Sequence, residues 1–492
     1  MTRHVVAIDN GSQSTKVLIV DERGAVRASA RVGLRPYETS APGRVVHPDD
    51  DVWDSIAAAC RLALGRFDGD HDSIVGVGLC TIRFCRALLR DDGSLAEPLL
   101  SWMDERVGKP FDGARGVERL ATSSGYVTHR LTGEFRDAAA NFQGVWPIDQ
   151  RTWRWSEDPA VYEATGMPRQ MLPELVEPGG LLGTVTADAA RATGLPEGLA
   201  VYATANDKAV EALGAGLAHD DELLLSLGTY ISSMTIAPAP ESGSAYWSNF
   251  GSRPGQYLAE SEGIRRGMWT VSWFRSLLTD PDRGDGGQVD ADPPVIASQD
   301  DLYALEAELS RAAAALPLGS DGVTVVLDWL ATADEPSRRG AILGFSGSQG
   351  RAHIHRAILE GIAFTMADHA ETMSAELGRS FTSLIVTGGG AHSDLMLQLA
   401  ADAFGLPVRR SRVDDAAGIG AAVCAAVGAG LHPSWDDAVA RMVGVLPATA
   451  PGDDAPAAAR LRAVHRGVRE RVRALSAWTA EQGDVISPTA IE

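Results

Sequence analysis

The stretch His4-Val-Val-Ala-Ile-Asp9-Asn-Gly11-Ser12-Gln-Ser14-Thr15-Lys16-Val17-Leu-Ile-Val20 decides the reading of this chain. Val5 to Ile8 is a short apolar run that reads as a buried strand, Asp9 to Ser14 is a polar Gly/Ser turn, and Val17 to Val20 is the returning strand, stopped at Asp21-Glu-Arg-Gly24. The pattern recurs at Leu223 to Leu227, Gly228-Thr229-Tyr230 and Ile231 to Ile236. With Gly11 laid on Gly228, Val17-Leu-Ile-Val20 falls on Met234-Thr-Ile-Ala237. Similarity at so long an offset predicts two related α/β domains rather than a short-period solenoid. The junction is placed near Ala218 to Asp221, which divides the chain into 1–219 and 220–492.

Strands and helices alternate through both halves. Ile74 to Leu79 and Ala200 to Ala203 read as strands, Val52 to Phe67 as a helix opened by Pro48-Asp-Asp-Asp51, and another helix begins near Lys208. Further on, Ile354, Ile358 and Ile362 predict a long helix through about Leu377, feeding a strand at Ser383 to Val386 and then a helix at Leu395 to Phe404. Loops are expected at Asp280–Pro294 and at Pro447–Pro456, the second leading into a C-terminal helix. Such alternation predicts sheets flanked by helices.

Composition narrows the function classes. At 492 residues, 45% hydrophobic and 22% charged, the chain has the make-up of a globular protein of two or three domains, neither fibrous nor disordered. Its 44 basic and 65 acidic residues leave a formal charge of −21 with no basic stripe, which argues against nucleic acid and anionic membranes as partners. No apolar stretch reaches the roughly 18 to 20 residues of a spanning helix. The N-terminal apolar run ends at Asp9, too early for a signal-peptide core, and Cys60, Cys80, Cys85 and Cys424 lack zinc-site spacing. A cytoplasmic protein with reduced thiols is expected.

Only Lys16, Lys109 and Lys208 are lysines, and two of them sit in candidate chemistry. The turn from Asp9 to Lys16 offers backbone amides, the Ser12 and Ser14 hydroxyls and one cation to phosphate oxygens, while an acid at the strand end suits Mg²⁺, directly or through water. An ordinary hairpin is the plainer reading, weakened by the second turn at Gly228-Thr229, because two opposed turns can grip one polyphosphate. Thr387-Gly388-Gly389-Gly390-Ala391-His392-Ser393 joins a strand to a helix, where backbone can approach a ligand closely; a glycine turn without a ligand competes with that reading. Asp207, in Asn206-Asp207-Lys208 after a buried strand, is placed as a general base for a hydroxyl nucleophile or as a helix N-cap. Arg83 and Trp102 suit a polyhydroxylated or acidic ligand, Asp104 and Arg106 read as a surface ion pair, and of the adjacent Arg265 and Arg266 at most one faces a site.

In these motifs the chain resembles the FGGY carbohydrate kinases over nearly its whole length. Asp9-x-Gly-Ser-x-Ser-Thr-Lys16 resembles the family's first phosphate motif, Ser226-Leu-Gly-Thr229 the second, and Asn206 to Gly216 the motif of the catalytic base. Gly388 to Ala391 with Ala416 to Ala421 resembles the adenosine site, and Gly340 to Phe345 with His353 and Glu360 follows the C-terminal signature, Phe345 departing from it. The resemblance implies two actin-like, ribonuclease H-like ATPase domains with the active site in the cleft between them. It also implies transfer of the γ-phosphoryl group of ATP, with Mg²⁺, to a hydroxyl of a small sugar, polyol or sugar acid. Carried over, Asp207 deprotonates the acceptor, Asp9 and Asp207 position the metal, and Gly11, Ser12, Ser14, Lys16, Gly228 and Thr229 hold phosphates. Gly388, Gly389, Gly390, Ala391 and Ser393 line the nucleotide pocket, and Arg83, Trp102, Lys208 and Arg265 face the acceptor. Pairing into a homodimer is implied by the resemblance alone.

Departures from the family pattern are concentrated on the acceptor side. Met103 to Gly125 reads as a short polar bridge where the family carries several dozen residues. Ile82-Arg83-Phe84 lacks the sugar-binding histidine of xylulokinases and keeps the arginine of glycerol kinases without the glutamate that follows it. Lys208 stands where Asn or Gln usually follows the base. With Arg83 and Arg265, Lys208 predicts an acidic acceptor, unless Lys208 pairs with a neighbour such as Glu211 or reaches a phosphate. A non-catalytic ATP-binding module acting through domain closure is the alternative, opposed by the retention of both Asp9 and Asp207.

Overall fold

The first hairpin forms where the apolar runs place it. In the computed structural model, which describes residues 2–279, 299–332 and 335–482, β1 (His4–Asn10) pairs antiparallel with β2 (Ser14–Asp21), Ile8 opposite Val17 and Asn10 opposite Thr15. Both strands are buried on both faces, so their apolar residues run on without alternating. β3 (Val26–Gly33) extends the sheet beyond β2, and β4 (Ile74–Thr81) lies parallel to β1 on its other side. β5 (Leu181–Thr184) and β6 (Ala200–Ala203) complete the order β5-β6-β4-β1-β2-β3.

The second sheet contains β7 (Glu222–Leu227), β8 (Ile231–Ala237), β9 (Tyr246–Phe250), β10 (Tyr257–Ser261), β11 (Ser383–Thr387) and β12 (Val408–Arg410), in the order β9-β10-β8-β7-β11-β12. Without one extra edge strand in each sheet, β3-β2-β1-β4-β6 and β10-β8-β7-β11-β12 have the same order and the same sequence of parallel and antiparallel pairs. The duplication read from two turns therefore extends over five strands. Ser14 and Ile231, the first residues of β2 and β8, coincide when Gly11 is laid on Gly228.

Helices occupy equivalent places in the two repeats. α1 (Asp51–Arg66) precedes β4, and α2 (Asp207–Ala215) follows β6; α3 (Arg351–Leu377) precedes β11, α4 (Asp394–Phe404) follows it, and α5 (Ala416–Gly428) follows β12. α5 packs against α2 and also on β1, β2, β4 and β6 of the first sheet, so it joins the two halves. Small residues permit the α2–α5 crossing. A Cβ on Gly214 would stand 1.8 Å from the Ala416 carbonyl oxygen, and one on Gly420 would stand 1.9 Å from that of Val210. The two glycines bring each helix against the other's backbone.

Three sequence expectations change. Met103–Gly125 is not a polar bridge throughout, because Arg119–Thr122 is a largely buried strand paired with Arg86–Leu89, and a buried helix starts at Ser123. Ala416–Ala421 is no loop beside the glycine turn but the first part of α5, where Gly420 meets α2. The loop that ends near Pro456 gives way to the helix Ala455–Glu481, whose first turn accepts proline because its amide needs no helical partner. The loop expected at Asp280–Pro294 lies outside the described residues. Among the described residues no helix is long and apolar enough to cross a membrane.

Gly214→Ala and Gly420→Ala are expected to push the crossing apart at a cost of about 1–3 kcal/mol. Gly65→Ala, in α1 where a Cβ meets nothing within 4 Å, is expected to gain roughly 0.5–1 kcal/mol. Thermal melts check this: the first two variants should lose Tm and the third should gain it, whereas a Gly420→Ala protein as stable as the parent would show a crossing that yields easily.

Candidate active site

Three acids meet where β1, α2 and α5 approach one another. Asp9 lies near the end of β1, Asp415 caps α5 by accepting the Gly418 amide at 3.0 Å, and Asp207 is the first residue of α2. Lys16 on β2 stands 3.6 Å from Asp9 and 3.5 Å from Asp415. Burial, then the Asp415 charge, pushes the Asp9 carboxyl up to about 7 despite Lys16. Asp415 escaped the sequence reading, although an acid directly before the Gly/Ala run of a helix is a capping signal.

Asp207 itself does not cap its helix. Asn206 takes that role, accepting the Ala209 amide at 3.1 Å, while its side-chain amide donates to Ala140 and to Asn249. This removes the capping alternative and leaves the Asp207 carboxylate, 26% exposed, at a helix N-terminus that favours its charged form. Burial raises its pKa, with the Arg83 and Lys208 charges opposing.

The glycine turns converge beside these acids. The Gly11 amide donates to the Ser14 carbonyl at 3.1 Å, and the Ser14 hydroxyl accepts from Arg31 at 2.9 Å, so the Ser14 hydroxyl already holds a protein partner. In the second turn the Gly228 and Thr229 carbonyls accept from the Met268 and Gly267 amides, at 3.2 and 2.9 Å. Since C=O and N–H point oppositely across a trans peptide, the Thr229 and Tyr230 amides face away from that helix start. Gly388, at φ +80°, comes so close to the second turn that a Cβ would stand 2.6 Å from the Leu227 carbonyl oxygen. Gly388 and Ala391 line a cavity of about 120 Å³ together with Arg412 and Ala416. Gly390 packs on Leu227 and Met268, Gly389 is exposed, and Ser393 caps α4 by accepting the Met396 amide at 3.2 Å.

The acceptor-side cations are corrected most. Lys208 donates to Glu211 at 2.9 Å and to the Ser226 hydroxyl at 2.7 Å, and Glu211 also accepts from Ser226 and Thr387. Burial would depress the Lys208 ammonium, but Glu211 and then Asp207 raise its pKa. Lys208 is therefore an interior ion-pair partner, the plainer of its two readings. Arg83 is also engaged, with Glu260 at 2.7 and 2.9 Å, and its Nε lies 3.8 Å from Asp207. Trp247 and Phe84, not Trp102, supply the rings beside Arg83; Trp102 is exposed next to Met103. Arg265 donates to the Ala331 carbonyl and lines a cavity of about 380 Å³ with Tyr230 and with Trp247, the ring that also lies against Arg83, while Arg266 stacks on Trp269, so the adjacent pair does diverge. Asp104 and Arg106 are paired as read, with Asp104 buried beneath the surface.

Comparison with known sequences supplies the family. The profile described as the FGGY family of carbohydrate kinases, C-terminal domain, matches residues 223–429, and its N-terminal counterpart matches 4–115 and 98–214. This chain is an FGGY carbohydrate kinase. The two N-terminal matches overlap at 98–115. The kinase is 44% identical over 445 residues to the "Uncharacterized sugar kinase YgcE" of Escherichia coli K12, covering 90% of this chain and 88% of that one. It is 24% identical to a glycerol kinase of Alkalilimnicola ehrlichii, over 90% and 94% of the two chains. Among solved structures, the xylulose kinase of Rhodospirillum rubrum superposes with a TM-score of 0.79 at 22% identity, covering 96% of this kinase and all of that chain. The two-domain fold is thus the actin-like, ribonuclease H-like one.

Among the described residues no group of three or more His, Cys, Asp or Glu side chains is arranged to hold a metal ion directly. The acids nevertheless suit a hydrated divalent cation: the Asp415 Oδ2 is buried without a hydrogen bond, and Asp9 feels both Asp415 and Asp207. Magnesium characteristically keeps several waters and takes few carboxylates.

The raised Asp9 pKa has a stability consequence. Between its ordinary value of 3.8 and about 7 the folded protein holds a proton that the unfolded chain has released, so stability declines as pH rises through that window. Asp9→Asn is expected to melt above the parent protein at pH 8, without nucleotide or Mg²⁺, and the gap should close toward pH 4. An equal gap at both pH values would remove this account of Asp9.

Proposed function

We propose that this kinase transfers the γ-phosphoryl group of ATP to a hydroxyl of a small polyhydroxylated acceptor, with Asp207 as general base. The carrying observation is the division of labour at the start of α2: Asn206 caps the helix, so the Asp207 carboxylate remains partly exposed beside Arg83. A carboxylate whose pKa is raised by burial accepts a hydroxyl proton more readily than an ordinary one, while the Arg83 and Lys208 charges favour its ionised form.

The turns at Gly11-Ser12 and Gly228-Thr229 would hold the phosphates, aided by Lys16, and Gly388 to Ala391 would border the nucleoside. Asp9 and Asp207 would hold Mg²⁺ through its waters, where the ion neutralises charge on the phosphate oxygens. A loose phosphoryl-transfer transition state asks mainly for such positioning and charge balance. Residues 1–219 and 220–492 would act as jaws whose closure excludes water from the donor. The relatives' printed names, sugar kinase, glycerol kinase and xylulose kinase, support a sugar or polyol as acceptor. A cytoplasmic location and a homodimer accompany this reading.

The test is ADP release from Mg·ATP across pentuloses, hexoses, polyols, glycerol and aldonic acids, run beside Asp207→Asn. Acceptor-dependent release is expected, falling at least about a hundredfold in the variant. Tight ATP binding without turnover on any acceptor would favour the binding-module alternative.

A further inference from the structure

A buried carboxylate stands behind Arg83. Glu260, on β10, is fully buried. Its Oε2 accepts from Arg83 Nη1 at 2.7 Å, and its Oε1 accepts from Arg83 Nη2 at 2.9 Å and from the Ser232 hydroxyl at 3.0 Å. The Phe84 and Trp247 ring centroids lie 5.2 and 4.9 Å from the guanidinium carbon, and Phe84 occupies the left-handed region at φ +69°. A guanidinium is a planar fork, so a bidentate carboxylate fixes its orientation as well as its charge. The remaining edge of Arg83 faces Asp207.

We propose that Glu260 is a positioning residue that sets the charge class of the acceptor: by holding and neutralising Arg83 it makes the kinase select a neutral polyhydroxylated acceptor over one bearing an anionic group. The inference rests on Asp207 marking the acceptor side. There, Lys208 is committed to Glu211, and Arg83 is shared between the buried Glu260 and Asp207, so neither cation is left over for an acidic group on the acceptor. An anionic acceptor would set its charge against Asp207 and Glu260, and such an unbalanced approach is how a site rejects a competitor. Arg83 keeps its donors for hydroxyl oxygens. Phe84 occupies the position after the arginine, and the neutralising acid comes instead from β10 in the other half of the chain. The acceptor side is therefore complete only with the two halves together.

Turnover is measured for the parent protein, Glu260→Gln, Glu260→Asp, Arg83→Gln and the Arg83→Gln/Glu260→Gln double variant. The acceptors are pentitols, hexitols and ketoses set beside aldonic acids of the same chain length. The parent should prefer neutral acceptors. Glu260→Gln should raise their KM and move the neutral-to-acidic ratio of kcat/KM at least tenfold, to order of magnitude, toward the acids, with the KM for Mg·ATP unchanged. Glu260→Asp should keep the parental preference, and Glu260→Gln should add nothing in the Arg83→Gln background, as expected when one residue acts through another. Should Glu260→Gln fail to fold, Ser232→Ala loosens the same carboxylate and should shift the ratio in the same direction. A parent that prefers acids, an unchanged ratio in Glu260→Gln, or an undiminished Glu260→Gln effect without Arg83 would each overturn the proposal. Asp207→Asn separates the two levels: if it is inactive while Glu260→Gln leaves the ratio unchanged, only the role of Glu260 falls; if it keeps acceptor-dependent turnover, the reading of Asp207 falls first.

Discussion

The close crossing of α2 and α5 is the constraint on which the rest of the molecule depends. Each helix closes its repeat, one after β6 and the other after β12, and Gly214 and Gly420 let each lie against the other's carbonyl oxygens. Those same helices begin at Asp207 and at the Asp415 cap. Fixing their crossing therefore fixes where two carboxylates arrive beside the Asp9 carboxylate of β1. A larger residue at either glycine would move chemistry as well as packing, since the backbone that makes the contact continues into the acids.

Bringing acids together in a half-dry cleft is unfavourable unless cations and hydrogen bonds share the burden. The compensation is laid across the two halves. Lys16 of β2 reaches Asp415 of the second half, Arg83 reaches Glu260, and Lys208 and Glu211 meet Ser226 and Thr387. A polar network of this kind strengthens its own members while remaining costly to break. Separation of the halves would interrupt all three sets, so the charge balance of the site and the closed arrangement of the chain are one condition.

The local patterns carried the fold, while pairings across the chain stayed hidden. Both hairpins, β4, β6 and α3 were legible because each announces itself within a few residues, and the likeness of the two turns was enough to reveal five matched strands. Asp207 was legible as a candidate, but its freedom was not, because Asn206 and Asp207 are both good capping residues and only the backbone shows which one caps. Glu260 and Arg83 are separated by 177 positions, and nothing in Tyr257–Ser261 distinguishes a buried glutamate from a surface one until β10 is placed against β8. Lys208 misled for the opposite reason. Its rarity suggested a ligand, yet Glu211 three positions on is the ordinary helical partner of a lysine.

The charge arrangement also bears on how the two turns proposed to hold phosphates are built. Among the described residues, the ion pairs of Asp9, Asp207, Glu211, Glu260 and Asp415 are made with Lys16, Arg83 and Lys208. A polyphosphate entering here meets a region already short of positive charge, where added lysines would be drawn into ion pairs, as Lys16 and Lys208 are. Uncharged donors escape that capture. Backbone amides in glycine turns cannot be neutralised by a neighbouring carboxylate or lose their direction when one approaches, and they are fixed by the strands that carry them. On the proposed reading, the turns at Gly11-Ser12 and Gly228-Thr229 would supply anion recognition independent of the acid-rich floor, which would remain available to a base and a divalent cation.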